Sequence, residues 1–203
     1  MVDSSKFLGI IINSSLDWTE HINLINQKVS KTIGILKYVT TKLPIDVLRS
    51  LYFSLVNPYY EYGNLVWTVT SNEAFKKLLI THRKAIRVIT GSQWNAHTSS
   101  LFQTLKILKI DELHKLQVAC FMFKVHRGLM PAFFAHMFCV NSDIHHYNTR
   151  HAADYHITAH RTSLLKNTIR IAGPLLWNSI DLNVRLSTSV HSFRRKYKDI
   201  LIG

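Results

Sequence analysis

The sequence predicts a mainly α-helical fold, with a helical bundle preceded by a short β segment and followed by a small mixed α/β piece. Apolar residues recur every three or four positions through most of residues 17–137, which is typical of amphipathic helices packed on one core. Residues 6–12, KFLGIII, are a compact apolar run that ends in three β-branched residues. Residues 139–168 are rich in His, Asn, Thr, Ser and Ala and show no clear helical period. We therefore divide the chain into residues 1–16, 17–137 and 138–203.

The first two elements are a strand and a long helix. The run at 6–12, closed by the turn residues 13–15, predicts a short strand or half of a hairpin. Asp17 and Glu20 have the spacing of a capping box, with Asp in place of Ser or Thr, and predict a helix start. An apolar stripe follows at helical spacing, and it consists of Ile22, Ile25, Val29, Ile33 and Leu36.

Proline, asparagine and glycine mark the next two helices. Pro44 suits the first turn of a helix, and Pro58 kinks or ends that helix. Asn72 can cap a third helix, for which Gly91 is a natural end.

Two further helices are predicted before residue 138. Thr98 can cap a short helix, and Asp111 can cap a longer one that runs from Glu112 to Arg127. Gly128 provides the C-terminal signal of the longer helix.

The last piece of the chain combines strands with helices. Residues 155–158 and 168–171 could pair as short strands. Gly173-Pro174 opens a short helix. Ser187 or Ser189 starts the terminal helix, whose outer face is basic.

Charge is the strongest global property of the chain. Its 25 Lys and Arg residues outnumber 12 Asp and Glu residues, which gives a net charge of +13. Such an excess, spread over a folded body, favours a polyanionic partner, most often nucleic acid. The alternative for any one of these cations is an ordinary solvated helix face. The candidate phosphate contacts are Lys76, Lys77, Arg83, Lys84 and Arg87, followed by Arg194, Arg195, Lys196 and Lys198.

Other features of the composition argue against several classes. No apolar run approaches a membrane span, and the start of the chain lacks the pattern of a signal peptide. Cys120 and Cys139 form no CxxC motif, so we expect an intracellular protein of the nucleus or cytoplasm. Asp111-Glu112 is the only adjacent pair of acids. Metal-assisted phosphoryl transfer needs clustered carboxylates, so a self-sufficient nuclease or polymerase is not expected.

Residues 145–160 hold five of the twelve histidines and raise the question of a metal site. His156 and His160 have three residues between them, but the glutamate of HExxH and any cysteine pair are missing. We favour hydrogen-bonding roles in an irregular loop, and we expect no metal and no cofactor. Contact with nucleic acid, beside Arg150 and Arg161, stays open. The alternative functions are a small metal-dependent enzyme built on this loop, or a helical interaction module or non-functional remnant.

Three tryptophans are interpreted as core anchors. Trp67, Trp94 and Trp177 each carry a large apolar ring. Stacking on nucleic-acid bases is the less common alternative for such residues.

A series of short motifs, in a fixed order, resembles a known family. The motifs are KFLGI, LDWxxHI, LP, YxSLVxPYxxYGxxVW, KAIRVIT, YNTR and GPxLWNS. Together they are similar to the C-terminal part of reverse transcriptases of non-LTR retrotransposons of the LINE type, jockey-like elements among them. The similarity runs from about Ser5 to the end. One departure is local: Asp181 follows Ile180, where the family usually has proline.

The resemblance implies roles for the first two regions. Residues 1–16 would be the remnant of a palm hairpin, in which Phe7, Leu8 and Gly9 resemble the segment that grips the primer terminus. Residues 17–137 would be the thumb, which closes over a template–primer duplex. For the YNTR segment, residues 147–150, no physical role follows from the sequence.

The resemblance also limits the activity expected of this chain. The family carries its catalytic aspartates in an Ala-Asp-Asp strand and an earlier motif, and no Asp-Asp occurs here. The chain on its own is therefore not expected to be an enzyme, and Mg²⁺ is expected only for the full-length parent polymerase. The implied partners are an RNA–DNA template–primer duplex and an upstream polymerase region, without membrane contact.

Overall fold

The computed structural model describes residues 3–68, 72–144 and 149–203. Thirteen helices and one two-stranded sheet form the regular structure of these residues, which confirms the prediction of a mainly α-helical fold with a short β segment at its start. The chain divides into two compact units: unit 1 is Met1–His114 with Ile202–Gly203, and unit 2 is Lys115–Leu201. In the described ranges, no helix is both long and apolar enough to cross a membrane.

Unit 1 begins with a tight β-hairpin, as residues 6–12 suggest. Strands β1 (Ser4–Phe7) and β2 (Ile10–Asn13) pair antiparallel with Phe7 opposite Ile10. Leu8 and Gly9 form the two-residue turn and have φ values of 47° and 84°. Two left-handed residues match a type I′ turn, whose twist suits a hairpin.

Helix α1 (Thr19–Val39) buries the predicted apolar stripe, but its start differs from the predicted capping box. Trp18 precedes the helix in a left-handed conformation, without a side-chain cap. Asp17 lies one residue before Trp18, and its Oδ1 accepts the N–H of Thr19, the first residue of the helix, at 2.9 Å. This hydrogen bond, together with one from Asn13, lowers the pKa of Asp17.

Three shorter helices continue unit 1, namely α2 (Ile45–Leu55), α3 (Asn57–Glu61) and α4 (Asn64–Trp67). Pro44 lies immediately before α2, and Pro58 is the second residue of α3. Both prolines therefore occupy helix starts, where a missing N–H costs little.

Helix α5 carries five of the candidate phosphate contacts, and helix α6 follows it in the chain. Helix α5 (Asn72–Ile89) packs mainly against α1. It ends before Gly91, whose φ of 61° confirms the predicted C-terminal signal. Helix α6 (Ser99–Leu105) follows Thr98 as predicted, although the Thr98 side chain makes no capping hydrogen bond.

Helix α7 (Ile110–His126) is stabilised at its start by a glutamate. Glu112 Oε2 accepts the backbone N–H of Lys109 at 2.8 Å, which is one half of a capping box. The helix starts one residue before Asp111, so Asp111 is not the cap. Gly128, with a φ of 64°, ends the helix as predicted.

The prediction of paired strands at 155–158 and 168–171 is wrong. Tyr155 forms an isolated bridge with Val140, and residues 169–171 are helical. The elements after α7 in the described ranges are α8 (Ala132–Ala135), α9 (Asn141–Ile144), α10 (Ser163–Asn167), α11 (Ile169–Ser179), α12 (Leu182–Arg185) and α13 (Val190–Ile202).

Helix α11 starts four residues before the Gly173-Pro174 pair that was predicted to open it. Ile171 and Trp177 are buried on this helix, and their burial overrides the strand propensity of a β-branched run. Gly173 packs closely on Met122, because a Cβ there would lie 2.7 Å from Met122 Sδ and would force that side chain to shift.

The core of unit 2 is aromatic. Phe123 and Phe193 stack with ring centroids 4.6 Å apart, and Trp177 lies 5.8 Å from Phe193. Ser189 Oγ accepts the N–H of Ser192 at 3.1 Å, so Ser189 is the residue that caps α13.

Candidate nucleic-acid interface

Helix α5 presents its cations along one side. At about 100° per residue, the five predicted cations fall within an arc of about 120° on the helix surface. Four of them are exposed, and Arg87 is half-buried. The opposite face is packed into unit 1 through Ala74, Leu78, His82, Ala85, Ile86 and Ile89. We call the set of cations the basic stripe, and its members are Lys76, Lys77, Arg83, Lys84 and Arg87.

Ion pairs with carboxylates do not neutralise the basic stripe in the described part of the chain. The ion pairs found among the described residues are Lys109–Glu112, His151–Asp154 and Arg185–Asp154. Because none of them involves the stripe, its cations keep their charge available for an external anion.

Arg87 differs from its neighbours because its side chain is held in place. Its Nε donates to the carbonyl oxygen of Ala96 at 3.0 Å, which ties the loop after α5 to the helix. The remaining guanidinium nitrogens can donate to a second partner in a fixed orientation. A solvated side chain would not be held in this way.

A groove opens between α5 and the segment that leads into α6. Its volume is about 690 Å³, which lies within the range typical of ligand sites. Two cations of the basic stripe, Arg83 and Arg87, contribute to its wall. Its apolar lining comes mainly from Phe75, Leu79 and Phe102, and its other lining residues are His82, Asn95, Ala96, His97, Thr98, Ser99, Lys109 and Asp111. We call this feature the α5–α6 groove.

His82 is a buried polar residue of the groove wall. Its Nε2 lies 2.7 Å from the hydroxyl of Tyr52, while its Nδ1 has no hydrogen-bond partner among the described residues. Burial, together with the positive charge of Arg83, lowers the pKa of His82 to about 3. The ring is therefore neutral at physiological pH and packs edge-on against Phe102 at 4.8 Å.

Trp94 is a residue that the sequence interpretation placed wrongly. Trp67 and Trp177 are buried, at 0% and 1% exposure, as core anchors should be, whereas Trp94 is 86% exposed. It directly precedes Asn95, which lines the α5–α6 groove. The local sequence contains a usable signal, because Gly91 and polar residues surround Trp94 without apolar neighbours at helical spacing.

The terminal cations belong to α13 in unit 2. Arg195 and Lys196 are exposed, whereas Arg194 and Lys198 are half-buried and each interacts with another group of the protein. At about 100° per residue these four residues spread over about 200° of the helix surface. They are therefore less concentrated than the basic stripe.

The hairpin tip exposes apolar side chains on a restrained backbone. Phe7 and Leu8 are 64% and 72% exposed. The hydroxyl of Tyr62 donates to the carbonyl oxygen of Leu8, and Gly9 lies against the Tyr62 ring. The hydrogen bond from Tyr62 therefore restrains the turn, while the Phe7 and Leu8 side chains face solvent.

The histidine-rich stretch forms ordinary hydrogen bonds where it is described. His151 Nδ1 lies 2.7 Å from Asp154, and His156 Nδ1 lies 3.3 Å from Asn141 Oδ1. No group of three or more potential metal ligands occurs in the parts of the chain that the structure covers. His145, His146 and the Tyr147-Asn148 half of YNTR lie outside the described residues; Thr149 and Arg150 are exposed.

Comparison with known proteins identifies two similar polymerases. The chain is 25% identical over 118 residues to a probable RNA-directed DNA polymerase from transposon X-element of Drosophila melanogaster, over 56% of this chain and 13% of that protein. It is 27% identical over 115 residues to the RNA-directed DNA polymerase from mobile element jockey of the same organism, over 55% and 12%. The chain thus matches about an eighth of the length of these curated relatives. No family model and no solved structure matches it. The resemblance to non-LTR retrotransposon polymerases is confirmed.

Proposed function

We propose that this chain, which is similar to RNA-directed DNA polymerases of non-LTR retrotransposons, acts as a thumb-like piece that holds template–primer nucleic acid through the basic stripe. The observation that carries the proposal is the alignment of five cations along one side of α5, none of them in an ion pair among the described residues. The cations of α13 are secondary candidates for the same role.

The geometry of the basic stripe suits a phosphate backbone. From Lys76 to Arg87 the helix rises about 16 Å, at about 1.5 Å per residue. Phosphates along one strand of a duplex are about 3.4 Å apart, so the stripe can reach on the order of three to five of them. Such contacts position a duplex by charge and shape and read little sequence.

The carboxylates of the chain support a holding role and not catalysis. Both side-chain oxygens of Glu112 are engaged by Lys109, one through its backbone N–H at 2.8 Å and one through Nζ at 3.1 Å. Glu112 thus serves the start of α7, and the adjacent pair Asp111-Glu112 does not supply the clustered, free carboxylates that two Mg²⁺ ions require. In our proposal the Mg²⁺ chemistry belongs to the parent polymerase.

The hairpin tip is the proposed contact for the primer end. Phe7 and Leu8 present apolar side chains to solvent, and the hydrogen bond from Tyr62 holds the turn in place. Apolar side chains on a restrained turn can pack against the sugar and base of a terminal nucleotide without reading its sequence.

Salt-dependent binding of a blunt RNA–DNA hybrid tests the proposal. We expect the logarithm of the binding constant to fall with the logarithm of salt concentration with a slope of about −3 to −4. The triple variant Lys76→Gln, Lys77→Gln, Lys84→Gln should make this slope shallower by about one for each phosphate that the protein no longer neutralises.

A matched control separates the basic stripe from net charge alone. The triple variant Lys37→Gln, Lys124→Gln, Lys166→Gln removes the same charge from exposed positions on other helices. It should leave the slope close to that of the wild type. A slope near zero for the wild type, or equal weakening in the two triple variants, would exclude the stripe as the binding surface.

A further inference from the structure

The α5–α6 groove and Trp94 combine features that a duplex-holding surface does not need. A regular duplex offers phosphates and groove edges to a protein, while the faces of its bases are covered by stacking. A cleft with an apolar lining, and an exposed indole on the residue that precedes its lining segment, instead suit the faces of unstacked bases.

The groove has distinct cationic, apolar and polar parts. Arg83 and Arg87 supply guanidinium groups for a phosphate, and the orientation of Arg87 is set by its hydrogen bond to Ala96. Phe75 and Phe102 supply apolar surface. The Asp111 carboxylate, which also lines the groove, can accept a hydrogen bond from a base amine or a sugar hydroxyl.

His82 provides an independent sign that the groove takes a ligand. The residue is 1% exposed, lines the groove and has an Nδ1 atom without a partner among the described residues. A buried polar atom that lacks a partner costs free energy, and native proteins contain few of them. A ligand group in the groove can form the missing hydrogen bond with His82 Nδ1.

Trp94 is the residue directly before the segment that lines the groove. A single exposed apolar side chain needs no explanation by itself. This one, however, is joined directly to residues 95–99, which line the groove, and the groove also contains two members of the basic stripe. Base stacking on an aromatic side chain, next to a cationic track, is the usual arrangement for single-stranded nucleic acid.

We propose that the α5–α6 groove binds one unpaired nucleotide of a single-stranded segment that adjoins the duplex, with Trp94 stacking on a neighbouring base. The groove accommodates the base against Phe75 and Phe102, and Arg83 contacts its phosphate. This inference rests on the proposed function, because the duplex held by the basic stripe brings the unpaired segment to the groove.

Binding measurements with three ligands test the inference on the 203-residue chain. The ligands are a blunt RNA–DNA hybrid, the same hybrid with a short oligothymidylate extension, and the same hybrid with an abasic extension of equal length. The abasic extension keeps the added phosphates and removes the bases. We expect the oligothymidylate extension to raise affinity over the abasic one by about fivefold or more.

Variants of Trp94 assign the gain to stacking. Trp94→Ala should abolish the preference for the oligothymidylate extension and leave the affinity for the blunt hybrid unchanged. Trp94→Phe should restore part of the preference. Because Trp18, Trp67 and Trp177 are at most 8% exposed, acrylamide quenching of tryptophan fluorescence reports chiefly on Trp94. The oligothymidylate extension should reduce that quenching.

A second pair of variants tests the groove itself. Arg83 lines the groove and Lys84 does not, although both are exposed cations of the basic stripe. Arg83→Gln should weaken binding of the extended hybrid more than binding of the blunt one. Lys84→Gln, which removes the same charge, should weaken both equally.

Several results would overturn the inference. One is equal affinity for the two extensions, and another is an unchanged preference for the oligothymidylate extension in Trp94→Ala. A third is that Trp94→Ala weakens binding of the blunt hybrid as much as binding of the extended hybrid. Failure of the proposed function looks different: the blunt hybrid would not bind, while free oligothymidylate would still bind and protect Trp94 from acrylamide. If the blunt hybrid binds and the extension adds nothing, the proposed function stands and the inference fails.

Discussion

The Tyr52–His82 pair makes the stability of unit 1 sensitive to acid. The two side chains lie 2.7 Å apart in the core, and both are fully or almost fully buried. Burial and the neighbouring Arg83 lower the pKa of His82 to about 3, from a usual value of 6.5. The folded protein therefore resists protonation of this ring, whereas the unfolded chain accepts a proton near pH 6.5.

The sign and size of the effect follow from this difference. Because the unfolded chain binds more protons between these two pKa values, the free energy of unfolding falls as the pH falls. The contribution of His82 is fully present above a pH of about 6.5 and declines by about 1.4 kcal/mol per pH unit below it. From about pH 7.5 to pH 5 the decrease is about 2 kcal/mol, a substantial part of the roughly 5–15 kcal/mol typical of a domain.

The double variant Tyr52→Phe, His82→Phe removes both polar partners and thus leaves no orphaned group. Urea unfolding at about pH 7.5 and pH 5 gives the free energy of unfolding of each protein at each pH. The decrease between these two pH values should be about 2 kcal/mol smaller in the double variant than in the wild type. Any constant offset caused by repacking cancels in this comparison.

His114 and an exposed histidine provide the internal references. Burial lowers the pKa of His114 to about 4, so both proteins should retain an acid-dependent decrease in stability from this residue. His191→Gln, at an exposed position, should follow the wild type. If the double variant and the wild type are destabilised equally between the two pH values, the burial argument for His82 is refuted.

Two further predictions concern the hairpin. Gly63→Ala should lower the free energy of unfolding by about 1 kcal/mol or more, because the φ of Gly63 is 64° and a Cβ would lie 2.5 Å from Ile10 Cδ1. A lower Tm in thermal melting would show this destabilisation, and an unchanged Tm would contradict it. Leu8→Asn should stabilise by about 0.5–1 kcal/mol, because asparagine tolerates the left-handed φ of 47° that strains leucine. A lower Tm for Leu8→Asn would show that the Leu8 side chain contributes packing that its exposure does not reveal.

Local sequence signals predicted most helix positions in unit 1. The period of Ile22, Ile25 and Val29 located the buried face of α1, and Gly91 located the end of α5, because both signals depend on neighbouring residues alone. The capping residue of α1 was missed, since Trp18 in a left-handed conformation has no sequence signature.

Local sequence signals did not predict the structure where long-range packing determines it. The run around Ile169 and Ile171 has strand propensity, yet burial of Ile171 and Trp177 makes it a helix that even contains Pro174. The groove beside α5 could not be predicted either, because Arg87 meets Ala96 through the return of the chain after Gly91. The cations themselves were predictable from their helical spacing.

Leu8 and Trp94 share a physical signature that composition and periodicity do not reveal. Each exposes a large apolar side chain, and each sits on or beside a backbone that a specific hydrogen bond restrains: Tyr62 to Leu8, and Arg87 to Ala96. For Leu8 the left-handed φ of 47° lowers stability, and such a cost persists where the residue meets a partner. Stability and binding should therefore respond in opposite directions at Leu8. Leu8→Asn should raise Tm while weakening capture of a primer end, whereas a residue that served packing alone would reduce stability on the same substitution.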